Sequence, residues 1–325
     1  MNTNCRMKRT NAVRQKDCDR VTHCRQDLWV PRSVSRRDFI RTSFGAAGAL
    51  AVGACSLFES RSPAGTISFG ILTDTHYADK DPGGERHYRD SIAKMRQCVE
   101  VFNKRNLPFA VELGDLVDAA PKKETELGFL KTISGHFSEF QGERHYVLGN
   151  HCVAAFTKEE FLGNCGTETP KGYYSFDCGG FHFVILDANF RGDGAPYAAG
   201  NFDWTDSNLS DRELVWLRND LRAARDKRAV LFVHQNLHNE TEMTGVKNGA
   251  RVRRILEDAG NVRVVLQGHH HAGAHARING IDYFTLRAMV EGPGVENNSF
   301  AVVTINEDNS IAIDGFGQQA DRLLT

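Results

Sequence analysis

Proline is scarce, eight in 325 residues, and the thirty glycines are scattered, so no Pro/Gly/Ser-rich stretch marks a linker between domains. No segment repeats with the period of roughly 20–50 residues that solenoids and propellers need, and no low-complexity tract occurs. Long apolar runs are missing from the N-terminal region. Its apolar segment is about a dozen residues, rich in Ala and Gly, roughly half of the ~20 needed to cross a bilayer. Neither sign of charge dominates, with 40 Lys and Arg against 41 Asp and Glu. What is present, 41% apolar and 25% charged residues, is ordinary for a globular protein with chain enough for a sizeable core. The expectation is a single domain behind a distinct N-terminus.

The first 55 residues do not share that domain's pattern. The run from Ser35 to Arg41 precedes the short apolar segment and resembles a twin-arginine export signal. Arg36 and Arg37 are paired, and Phe39 stands where such a signal places a large apolar residue. That route carries proteins that fold, often with metals, before they cross the membrane. The sequence VGAC ending at Cys55 also resembles a lipobox, in which the cysteine becomes a lipid-modified N-terminus; simple cleavage after Ala54 is the other reading. Residues 1–34 are basic, carry Cys5, Cys18 and Cys24, and are far longer than such a signal needs, so they read as an extension upstream of a true start near Val30. The expected product is exported through the twin-arginine machinery: periplasmic, secreted, or held at a membrane through a lipid on Cys55.

Cutting before Cys55 removes eleven Lys/Arg and four Asp/Glu and leaves a net charge of −8, which argues against duplex nucleic acid as a partner. The mature chain keeps Cys55, Cys98, Cys152, Cys165 and Cys178. Export permits oxidation, and Cys152 with Cys165 is the pair to test first.

Five apolar runs in residues 66–325 each end in ligand-type residues. The first, over 66–72, ends in Asp74-x-His76, and LPFAVEL ends in Gly114-Asp115 with Asp118 beyond. RHYVL ends in Gly149-Asn150-His151, KRAVLFV in His234, and NVRVVLQ in Gly268-His269-His270-His271. A helix is expected after the first, with Ile92, Met95, Val99 and Phe102 on one face, and another over about 124–139. Strands alternating with helices form βαβ units, whose ligands bind at the carboxyl ends of the strands. Structural accidents would scatter to both ends, and these five do not.

Asp74, His76, Asp115, Asn150, His234, His269 and His271 together meet the need of two divalent cations that share one carboxylate. Such a set leaves positions for water and substrate and suits Mn, Fe or Zn. The glycines before Asp115, Asn150 and His269 fit sharp turns that leave room for metal and phosphate.

In that order, D-x-H, G-D-x-x-D, G-N-H, a lone H and G-H-x-H resemble the calcineurin-like metallophosphoesterases across residues 66–325. The resemblance implies an α/β fold, a four-layer α/β/β/α sandwich of two facing mixed sheets, with the dimetal site at the C-terminal ends of the strands. It implies that Asp74, His76 and His271 hold the first metal, Asn150, His234 and His269 the second, and that Asp115 bridges them. His151 would stand by the substrate phosphate as a catalytic group without binding metal. In GHHHAGAH, residues 268–275, His269 and His271 then share one face of an extended segment, His270 points elsewhere, and His275 has no role in the site.

Within the family, FGILTDTHYADKD, RHYRDSI, LGDLVD and the C-terminal stretch from EGPGVENN are similar to the manganese-dependent ADP-ribose/CDP-alcohol diphosphatases. Exported bacterial relatives of this type often carry an alkaline phosphatase label. Two departures matter. The animal diphosphatases have Gln where this chain has His76. Many members carry an acid after G-N-H where this chain has Cys152, so His151 needs another partner here.

Two cations roughly 3.5–4 Å apart hold a bridging hydroxide and neutralise phosphoryl oxygens during in-line displacement. His151, if protonated, would stabilise the transition state or protonate the leaving oxygen. Asp118 either orients a ligand or is a helix N-terminal acid. Tyr77 would stack on a base or sugar, or else is a core aromatic. Arg86 and Arg89, flanking His87 and Tyr88, would meet a second phosphate, or else open a solvated helix. Asn189 and Arg191 lie on a loop able to face the pocket. The leading reading is a phosphoric-ester or diphosphate hydrolase. The alternatives are an exported alkaline phosphatase-like monoesterase or diesterase and, in another class, a metal-binding lipoprotein without turnover.

Overall fold

The computed structural model describes Arg6, Met7, residues 65–167 and residues 172–325. Arg6 and Met7 belong to one unit with the described residues from 65 onward, and residues 9–62, with the paired arginines and Cys55, lie outside the described residues. In chain order the strands are β1 (Arg6–Met7), β2 (Ile67–Leu72), β3 (Phe109–Glu112), β4 (Glu143–Tyr146), β5 (Tyr174–Cys178), β6 (Phe181–Ile185), β7 (Ala229–Val233), β8 (Val262–Gln267), β9 (Ala274–Ile278), β10 (Ile281–Thr285), β11 (Ser299–Ile305), β12 (Ile311–Gly317) and β13 (Arg322–Leu324). The helices are α1 (Ser91–Lys104), α2 (Lys123–Phe137), α3 (Lys158–Asn164), α4 (Asp211–Ala223) and α5 (Gly249–Ala259). None of them is long and apolar enough to cross a membrane.

Central strands with apolar residues on both faces must be covered on both faces, and the covering defines four layers. One sheet has the order β13-β12-β11-β2-β3-β4, the other β1-β5-β6-β7-β8-β10-β9. The strands that precede the ligand clusters run parallel within each sheet: β2 with β3, β3 with β4, and β7 with β8. Alternation sorts their side chains. Phe69, Ile71, Phe109 and Val111 of the first sheet meet Phe183, Val230, Phe232, Val264 and Leu266 of the second. Leu72 and Ala110 face the other way, onto Met95, Val99 and Phe102 of α1 and Leu130, Ile133 and Phe137 of α2. On the far side Val184, Leu231 and Val265 pack against Leu214, Leu217 and Leu221 of α4 and Val252 and Leu256 of α5. The expected α/β/β/α sandwich of mixed sheets is therefore what folds.

The space between the sheets is filled by phenylalanine. Phe183 lies within 4.9–6.1 Å, ring centre to ring centre, of Phe109, Phe176, Phe69 and Phe232. Cys98, Cys152 and Cys165 are buried free thiols, so the pairing expected first, Cys152 with Cys165, does not form. Both sit among the apolar residues beneath α1 and α2, and burial pushes their thiol pKa values well up.

At the other end of the second sheet, His182 on β6 is buried between two carboxylates. Its Nδ1 lies 2.7 Å from Asp177 on β5 and its Nε2 2.8 Å from Asp220 on α4, while Lys227 neutralises the other oxygen of Asp177. Burial opposes the imidazolium, yet the two carboxylates outweigh it and raise the pKa of His182. A raised folded-state value stabilises the fold fully below the unfolded value of about 6.5, and that contribution is lost as pH rises through the folded value. Urea midpoints of wild type and His182→Gln are therefore expected to differ most below the unfolded-state value and to converge as pH rises through the folded-state value of His182; a constant gap would count against this ion pair.

Candidate metal centre

All seven expected ligands fall just past strand ends, and the backbone there is bent into conformations that side chains rarely adopt. Asp74, His76, Asp115 and His269 have φ of 51°, 42°, 61° and 67°. Left-handed backbone at non-glycine residues is uncommon and collects at functional sites, where the surrounding structure holds it. Here hydrogen bonds hold it. The N–H of Asp74 donates to the Gly114 carbonyl (2.9 Å), and that of His76 to the Asp115 carbonyl (2.8 Å). The glycines matter more for close approach than for turning. A Cβ on Gly149 would lie 2.1 Å from Asp115 Oδ1, and one on Gly268 2.1 Å from Thr73 Oγ1; only Gly114, at φ 107°, also needs its conformational freedom.

The donor atoms converge. His76 Nε2 and His271 Nε2 each lie 3.5 Å from Asp74 Oδ1, and His234 Nε2 lies 3.1 Å from Asp115 Oδ2, which is 3.7 Å from His76 Nε2. Donors about 2.1 Å from a common ion are about 3–3.4 Å apart at octahedral or tetrahedral angles, so these spacings fit cation coordination. Donor atoms of Asp74, His76 and His271 form one cluster, and those of Asp115, His234 and His269 another. A further cluster of His76, Asp115 and His151 makes Asp115 common to two of them. Asn150, buried beside Asp115, turns to the same cavity.

Five buried atoms, Asp74 Oδ1, His76 Nε2, Asn150 Oδ1, His234 Nε2 and His269 Nε2, have no hydrogen-bond partner. Buried polar atoms are almost always satisfied. Five unsatisfied donors aimed at one place are of the kinds that two divalent cations would take.

Outer contacts fix each ring. His234 Nδ1 donates to the Leu113 carbonyl at 2.9 Å, leaving Nε2 for the cavity. His271 Nδ1 is held by a very short contact with Glu291, a residue given no role by the sequence reading. Asp74 Oδ2 accepts from Thr73 Oγ1 (2.7 Å) and the His269 N–H (2.9 Å), so Oδ1 alone is free for metal. Burial disfavours charge on His234 and His271. Asp115 and Asp74 nevertheless hold His234 up to about 9, and Asp74 and Glu291 do the same for His271. His269, its ring largely desolvated beside cationic His234, is pushed down to about 3.

His151 finds the partner that Cys152 cannot supply. Its Nδ1 lies 2.9 Å from Asp118 Oδ1, whose other oxygen meets Lys80. Burial works against a charge on His151; Asp115 and Asp118 overcome it and raise its pKa. Asp118 is thus the acid that orients this histidine, and the helix-terminus reading falls away because α2 begins only at Lys123.

A profile of the calcineurin-like phosphoesterases matches residues 67–273. The chain belongs to that family. It is 24% identical over 307 residues to the manganese-dependent ADP-ribose/CDP-alcohol diphosphatase of Oryza sativa, covering 81% of this chain and 94% of that one. The protein of the same name from Arabidopsis thaliana is 26% identical, with 77% and 94% covered. The serine/threonine-protein phosphatase CPPED1 of Mus musculus is 26% identical, with 75% and 79% covered. Among solved structures, a dimetal phosphatase from Danio rerio superposes with a TM-score of 0.71 at 22% identity, over 81% of this chain and 99% of that one, a likeness of fold. This phosphoesterase is therefore a hydrolase of phosphoric esters or phosphorus anhydrides.

Other expected residues of the phosphoesterase fare unevenly. Arg86 lines the cavity of about 510 Å³ above the metal ligands, with Trp204, Thr244 and His270. Tyr77 does not: it is buried, edge-on to Phe129, because the residue after His76 turns back into the core. Arg89 is exposed and ion-paired to Asp79 and Asp81. Asn189 is fully buried and donates to the Leu148 carbonyl, whereas Arg191 pairs with Asp193 at the surface. His275 lies on β9 against Asp282, away from the centre, as expected. Sequence reasoning passed over Trp204, which stands inside FDWTDSN, residues 202–208.

His151→Ala is expected to lower kcat by about 10²–10⁴ with metal content unchanged, since its ring is paired with Asp118. Asp118→Asn should cost less and move the alkaline limb of the pH profile to lower pH, because one of the two carboxylates that raise the His151 pKa is gone. Loss of bound metal in His151→Ala, read by elemental analysis, would show a misassigned ligand.

Proposed function

We propose that this phosphoesterase cleaves diphosphates that join a nucleoside to a second alcohol or sugar, ADP-ribose and CDP-alcohols being the types, with manganese as its metal. The observation that carries the reading is the pair of groups flanking the donor set. On the second cation's side the Trp204 indole, 40% exposed, stands 6.2 Å from the His269 ring. On the first cation's side Arg86 stands near His271 and Glu291. A stacking surface on one flank and a guanidinium on the other suit a substrate with a flat base at one end and a second anionic group toward the other. The relatives named for this activity, matched along 94% of their length, support the same class.

Two bound cations would supply an activated water and neutralise the phosphoryl charge. The rest falls to the chain. Asp115 holds the two halves in register, His151 delivers a proton to the departing oxygen, and Asp118 keeps that proton in place. Trp204 takes the aromatic Tyr77 cannot provide.

The test compares ADP-ribose, CDP-choline, p-nitrophenyl phosphate and its bis ester, with added manganese. The first two are expected to be preferred by about a hundredfold in kcat/KM, and Trp204→Ala to raise KM for ADP-ribose about tenfold while leaving the monoester unchanged. Preference for p-nitrophenyl phosphate would favour the alternative, an exported phosphomonoesterase.

Export belongs to the same proposal, supported by Arg36, Arg37 and Phe39 ahead of a short apolar segment and by Cys55 after it. Replacing both arginines with lysine should leave the protein in the cytoplasm. Cys55→Ala should release it from membranes if that cysteine carries lipid; a signal cleaved after Ala54 predicts no change.

A further inference from the structure

Lys94 of α1 is fully buried. Its ammonium donates to three carbonyls, those of Met289 (2.8 Å), Glu291 (2.9 Å) and Gly292 (2.8 Å). An ammonium has three N–H donors, so none is left over. The segment it gathers, 288–292, is a strap whose other hydrogen bonds run to the metal centre. The N–H groups of Ala288, Met289 and Val290 donate to the carbonyls of His271 (3.1 Å), Thr73 (3.0 Å) and Asp74 (3.1 Å). The Glu291 carboxylate grips His271 Nδ1. Toward the rim, the His87 N–H donates to the Val290 carbonyl (2.9 Å) and the Gly292 N–H to the Glu85 carbonyl (2.8 Å), bracketing Arg86. Among the described residues, none of these bonds reaches Asn150, His234 or His269.

We propose that Lys94 is a positioning residue that, through this strap, sets the first cation's ligands Asp74 and His271 and the turn carrying Arg86, and leaves the second cation's ligands largely unaffected. The inference rests on the two-cation reading of the donor set. A lysine that merely glued α1 to the fold would weaken both sites or neither. Burial lowers the Lys94 pKa to about 8 against the opposing pull of Asp90 at the start of α1, Glu291 on the strap and Glu296 just beyond it. Above that pH the neutral amine offers two N–H groups to three carbonyls, and one carbonyl goes unpaired.

Calorimetric titration of metal-free full-length protein with manganese decides the matter, the first site being identified as the one lost in His271→Ala. Lys94→Met is expected to raise the first site's Kd about tenfold or more while the second stays within about threefold. Equal weakening of both, or no change in either, overturns the proposal. A second variant guards against misfolding. Lys94→Gln, whose amide still offers two N–H groups to the strap carbonyls, is expected to raise the first site's Kd less than Lys94→Met does, with the second site again within about threefold. Equal weakening of both sites in this variant also overturns the proposal. Wild type that fails to bind two ions at any pH would instead refute the two-cation reading, and this inference with it.

Discussion

Two carboxylates buried between the edges of two sheets are the constraint on which the rest depends. Asp74 and Asp115 are almost wholly shielded from water, and an isolated buried carboxylate is prohibitively unstable. Each must therefore face positive charge, whether from imidazolium or from metal, and the surrounding chain is arranged to bring imidazoles to them from four separate loops. The left-handed turns at Asp74, His76, Asp115 and His269 and the close approaches at Gly149 and Gly268 are local costs of that convergence. The phenylalanine-filled sandwich is rigid enough to hold them.

Polar contacts then work outward in rings. Leu113 and Glu291 orient His234 and His271, Asp118 orients His151, and Lys80 and Lys94 sit one step further out. Each ring removes a freedom from the one inside it. That is why a chain with Cys152 after its G-N-H motif can still hold an oriented histidine: the acid comes from a different loop, three residues beyond Asp115.

Period and position made much of this readable in advance. Apolar runs ending in Asp, Asn or His marked the strand ends, and the spacing of Met95, Val99 and Phe102 marked the inner face of α1. These are local properties of the chain, and the seven ligands follow from them because a βαβ connection puts consecutive strand ends on the same edge. Tyr77, Arg89 and Asn189 were harder. Tyr77 follows a ligand directly, and Arg89 and Asn189 lie in connections after strand ends, but whether such a residue faces the cavity or the core depends on the turn taken there, and left-handed backbone reverses the usual alternation. Trp204 and Glu291 were missed for the opposite reason: they are distant in sequence from the ligands they adjoin.

The order of apolar runs, turn glycines and ligand-type residues determined by itself that this chain would build a parallel-stranded α/β core and gather seven donors at one edge, because strand direction and side-chain periodicity are written locally. Only the tertiary structure decided which groups surround that edge. Glu291 reaches His271, Asp118 reaches His151, Lys94 closes on the strap, and Trp204 and Arg86 flank the cavity because separate segments fold onto one another. Such contacts depend on how loops of particular length pack, which no short stretch of sequence encodes.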